Sequence, residues 1–104
     1  MTIVTIDHIP GRTYEVLGVV KGNVVQSKNF GKDFMSAMKG LVGGEIVAYT
    51  EMLAEARQIA TGRMAKEAEA LGADAVLNLR YASSSVMQSA AECIAYGTAV
   101  RFTD

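Results

Sequence analysis

The chain has 104 residues, half of them hydrophobic and 20% charged, which fits one domain with a modest core and excludes disorder. Formal net charge is -1 and the ten basic residues are scattered, so no cluster is available to track a nucleic-acid backbone. A lone cysteine suits a reducing compartment, no basic-then-apolar leader opens the sequence, and its apolar runs are too interrupted to span a membrane; the expected location is the cytoplasm.

"TIVTIDHI" alternates as a strand does and closes at Pro10-Gly11, a turn pair. "TYEVLGVVKGNVVQSK" reads as two extended pieces joined by a tight hairpin at Gly22-Asn23, with Gly18 marking a bulge or a close approach. Phe34, Met38 and Leu41 then fall at helical spacing, so a short helix is expected, ending irregularly at Gly40, Gly43 and Gly44.

A long amphipathic helix follows. Thr50 is its expected N-cap, with Glu51 and Glu55 placed where the helix dipole favours anions. Met52, Leu53, Ala56, Ile59, Ala60, Met64, Ala68 and Leu71 form one apolar stripe, and Glu55, Arg57, Gln58, Lys66, Glu67 and Glu69 cover the rest. Gly62 weakens the helix unless a partner approaches there, and Gly72 is placed to end it in a left-handed cap. "ADAVLNLRYA" is a strand apolar on both faces at its centre, and Ser83, Ser84 and Ser85 are expected to turn the chain into "AAECIAYGTAVRFT".

The last strand sorts by size. Ala91, Cys93, Ala95, Gly97 and Ala99 make a small-residue face against which a helix can lie closely. Ile94, Tyr96, Val100 and Phe102 belong to the opposite, bulky face. One long helix shields only one side of a sheet, so those four are the expected contacts with further copies of the chain. The fold class is therefore α/β: a small antiparallel or mixed sheet with one long helix and one short one, a single domain over residues 1–104.

The blocks "TIDHIPGRTYEVLGVVKGNVV", "VGGEIVAYTEMLAEAR", "LGADAVLNLRYASSS" and "AECIAYGTAV" together resemble the YbjQ-like family of uncharacterised bacterial proteins, to which heavy-metal binding is ascribed. The resemblance runs in unbroken order from about Ile3 to Phe102. It implies a subunit similar to that of dodecin, assembled as a ring-shaped homopentamer partly through added strands.

The residues give that metal ascription little support. Soft metals take several thiolate or imidazole ligands at short spacing, whereas His8 and Cys93 are single and far apart in sequence. A site shared between subunits is the form such a metal centre would take; otherwise His8 is a surface histidine and Cys93 a core filler. The methionines read as packing, Met52 and Met64 in the long helix and Met35 and Met38 in the short one. No cofactor is identified. Catalysis lacks a base near a nucleophile, since His8 is the only histidine, and Glu51 with Glu55 forms an ordinary solvated pair. Arg80 with Ser83, Ser84 and Ser85 is the candidate for an anion or small polar ligand, with Tyr81 available to stack. Arg80 and Tyr81 point to opposite faces of an ideal strand, which separates them. The leading expectation is a non-enzymatic homo-oligomer that stores, buffers or senses a small ligand or ion. A metal-handling protein and an enzyme with an inter-subunit site follow in that order, with neither nucleic acid nor membrane as partner.

Overall fold

The computed structural model describes residues 1–27, 47–87 and 90–104. Its elements are β1 (Thr2–Ile3), β2 (Tyr14–Ser27), α1 (Val47–Ala70), β3 (Ala75–Met87) and β4 (Ala90–Phe102). The strands form one mixed sheet in the order β1-β3-β4-β2: β1 runs parallel to β3, and β4 is antiparallel to both β3 and β2. The expected short helix around Phe34, Met38 and Leu41 lies outside the described residues.

The hairpin expected at Gly22-Asn23 does not form. β2 is one strand, in which Gly22 pairs with Ala95 and Asn23 with Ile94. Gly22 serves packing instead, because a Cβ there would overlap the backbone of Ala60 and Met64 in α1. Gly18 does mark a bulge: the register shifts between Val16 and Gly18, whose φ of +138° suits glycine. Only Thr2–Ile3 of the first alternating segment is strand, although Val4 and Leu79 continue the bonding, the Leu79 N–H donating to the Val4 carbonyl at 3.0 Å. The Pro10-Gly11 turn closes with the Arg12 N–H donating to the Ile9 carbonyl at 3.3 Å and Gly11 at φ +77°.

α1 starts before Thr50, which therefore lies inside the helix and is not its cap, and the first turn holds no acidic residue. Its C-terminus is as expected. Gly72 has φ +81°, its N–H donates to the Glu69 carbonyl at 2.9 Å, and that of Ala73 reaches back to Ala68 at 3.0 Å. Met52, Ala56, Ala60, Met64 and Ala68 are buried every fourth residue, the last four against Val20, Val24, Val76, Cys93, Ala95 and Ala99. Leu71 leaves the stripe and is exposed. Gly62 is exposed as well, and among the described residues no atom lies within 4 Å of a Cβ built on it, so none of them explains it as a close partner.

β3 carries a bulge of its own. Leu77 pairs with Thr98 and Arg80 with Tyr96, leaving Asn78, at φ +56°, and Leu79 to share Gly97. Gly97 makes room for it: a Cβ would sit 2.6 Å from Val76 Cγ1 and 2.9 Å from the Leu77 oxygen. The constraint on Gly97 thus comes from β3, not from the helix. The extra residue also exchanges faces, turning Tyr81 toward α1 and Arg80 away from it.

The bulky face of β4 is partly covered from within. Val100, with no exposed surface, joins Ala75 and Leu77 in a second cluster roofed by Val4, Ile9, Tyr14 and Phe102. Val100 is thus enclosed within the subunit, and the half-buried Phe102 packs against the same cluster. Ile94 is half-buried and Tyr96 exposed, beside the exposed Val19 and Val25 of β2.

Candidate functional site

α1 lies over β2 and β4 and barely touches β3, so α1 leaves the helix-facing side of β3 largely uncovered. The result is an open groove with two adjoining basins. The larger, of about 470 Å³, is lined by Ala54, Arg57, Gln58, Thr61, Gly62 and Tyr81. The smaller, of about 160 Å³, lies beside Leu53, Ala82, Ser83 and Cys93, with Arg57 and Tyr81 common to both. The helical contributors recur at i, i+3, i+4, i+7 and i+8, one flank of α1 beside its apolar stripe.

Two observations give this groove chemical character. The Thr61 and Tyr81 hydroxyls meet at 2.7 Å, joining helix to strand. Thr61 already donates to the Arg57 carbonyl at 2.7 Å, so Tyr81 is the donor between them. Beneath lies Cys93, whose thiol is pushed above its ordinary value of 9.0 by burial, with the Arg57 charge pulling partly the other way. At neutral pH it is a protonated thiol.

The ligand-site residues proposed from sequence are divided by the sheet. Ser83, Ser84 and Ser85 are not a turn; they are β3 residues paired with Cys93, Glu92 and Ala91. Ser83 and Ser85 share the face of Tyr81, whereas Ser84 lies on the opposite side with Arg80. Arg80 bonds the Thr5 carbonyl at 3.0 Å and the Leu79 carbonyl at 2.9 Å, fastening the N-terminal segment. Arg57 and Gln58 were read from sequence only as helix surface, and Thr61 was not singled out. Their regular spacing with the small residues Ala54 and Gly62 was the signal available.

Residues 1–103 match the YbjQ family, which is described as "Putative heavy-metal-binding". The chain belongs to the YbjQ family. Similar proteins include a UPF0145 protein of Thermotoga petrophila, 62% identical over 102 residues that cover 97% of this chain and 96% of that one. Another, from Clostridium novyi, is 59% identical over 101 residues, 97% of this chain and 98% of its own. Among solved structures, a protein of unknown function from Pediococcus pentosaceus, assigned to the DUF74 family, superposes with a TM-score of 0.64. That likeness covers 99% of this chain and 98% of the other at 20% identity, and concerns the fold.

The description attached to the YbjQ family can be tested on this member's side chains. A soft ion needs its ligand atoms about 2.0–2.3 Å away, hence within about 4 Å of one another. Cys93 is a protonated thiol under the helix, while His8 belongs to the segment packed on the other face of the sheet and bonds Asp7 at 2.8 Å. That bond holds the Asp7 carboxyl below its usual range. Among the described residues, no three His, Cys, Asp or Glu side chains converge. Within one subunit these residues do not fit a heavy metal.

Proposed function

We propose that the protein is a non-catalytic binding module for a small ligand, acting in the cytoplasm as a homo-oligomer, with the five-membered ring implied by its family resemblance as the expected assembly. The groove between α1 and β3 carries this reading, because it combines room for a small molecule with a guanidinium, hydroxyls and an amide.

The shape of the subunit supports assembly. Its radius of gyration is 17.3 Å, against about 13 Å for a compact chain of this length. It exposes 6685 Å², where a solitary protein of 11.1 kDa presents roughly 5,700 Å². The surplus includes the apolar Val19, Val25 and Tyr96 on the sheet face that α1 does not cover. Beyond Leu79, no strand among the described residues pairs with the outer edge of β3, which suits strand addition by a neighbour.

Native mass spectrometry of the purified protein tests both parts. The expected spectrum shows a multimer of the 11.1 kDa subunit with added mass of a small molecule. Solitary subunits with no retained mass would refute the proposal, and a stoichiometric metal ion held only by the multimer would replace it with a metal site shared between subunits.

A further inference from the structure

We propose that the groove between α1 and β3 binds a small oxyanion, a carboxylate or a phosphate, with Arg57 supplying the charge and the Tyr81–Thr61 hydroxyl pair a directed hydrogen bond. This names the ligand class for the binding function proposed above and rests on that reading.

Arg57 lines both basins and is the one charged residue among their described linings. A guanidinium offers a planar fork of donors that matches carboxylate and phosphate oxygens. Among the described residues no acidic side chain lines either basin to neutralise it, and the Cys93 thiol beneath adds no negative charge. Gly62 and Ala54 keep the helix side low, and the position of a Gly62 Cβ has no atom within 4 Å.

The hydroxyl pair is suited to switching. Without an anion, Tyr81 donates to Thr61, which donates to the Arg57 carbonyl. When an oxyanion arrives, Tyr81 turns its proton to the new acceptor and Thr61 turns its own to Tyr81. The Arg57 carbonyl gives up only its second bond, since an interior helical carbonyl also accepts from the backbone.

Isothermal titration calorimetry of the intact protein with inorganic phosphate, and separately with succinate, tests the assignment. At least one anion should bind, more weakly at high salt, and comparison of the two separates phosphate from carboxylate recognition. Arg57→Gln should weaken binding about tenfold or more, with Arg57→Lys between it and the wild type. Tyr81→Phe should weaken it several-fold, while Arg80→Gln, on the opposite face, should leave it unchanged. Absence of binding to the wild type, wild-type affinity in Arg57→Gln with native circular dichroism, or an equal loss in Arg80→Gln would overturn the proposal. If native mass spectrometry meanwhile finds a retained neutral or cationic molecule, only the ligand class falls. If it finds bare solitary subunits, the binding function falls with it.

Discussion

Three glycines illustrate how one residue type answers to different surroundings. Gly22 lies under α1, where a Cβ would meet the backbone of Ala60 and Met64, neither of which can move alone. Gly22→Ala should therefore lower stability by about 1–3 kcal/mol, read as a fall in the denaturant midpoint. Gly97 faces the β3 bulge and should respond in the same sense. Gly62 is the opposite case, exposed in the middle of a helix with nothing near the missing side chain. Gly62→Ala should raise stability by about 0.5–1 kcal/mol, since alanine has the higher helix propensity, and a lower midpoint would contradict this account. The glycines announced themselves in the sequence, but their meanings did not. "GN" between apolar runs is a strong local hairpin signal, and it was overridden because Gly22 is the only residue small enough to pass beneath Ala60.

Elements were legible wherever local chemistry decided the outcome. The stripe from Met52 to Ala68, the Gly72 cap, the Pro10-Gly11 turn and the Gly18 bulge all follow from neighbours in sequence. Long-range register was not legible. The three serines resemble a turn because their hydroxyls can bond local backbone, yet pairing with β4 extends β3 through them to Met87. The bulge at Asn78–Leu79 had no strong local cue, and it decides which residues share the groove with α1. The residues read from sequence as one ligand site consequently fall on both faces, Arg80 and Ser84 on one, Ser83 and Ser85 on the other. The clamp between the two chain ends was also invisible: Arg12 bonds Asp104 at 2.8 Å and lies 3.7 Å above the Phe102 ring. The hydrogen bond from Arg12 holds the Asp104 carboxyl below its ordinary 3.8. A depressed folded-state value means that this contribution is complete above the unfolded value and is lost as pH falls through the folded one. Wild type and Asp104→Asn should therefore differ in thermal midpoint at neutral pH and converge as pH falls through the folded-state value, and a gap that persists once the carboxyl is protonated would rule the clamp out.

At the level of the whole molecule, the two faces of the sheet are finished by different means. α1 closes one; the N-terminal segment roofs part of the other over Ala75, Leu77 and Val100. Aspartate substitutions should reveal the distinction. Tyr96→Asp changes an exposed position, so sedimentation should show a split assembly while circular dichroism keeps the subunit fold. Phe102→Asp enters the second cluster beneath Arg12 and should unfold the subunit itself. An unchanged sedimentation profile for Tyr96→Asp would exclude that face from the interface. The strand order carries a separate consequence for folding. β4 separates β2 from β3 and pairs with both along almost their whole lengths. Until β4 is in place both long ribbons lack their ladder partner, so the sheet closes only when β4 docks. A message truncated before Ala90 would yield an adhesive, partnerless product instead of a smaller domain.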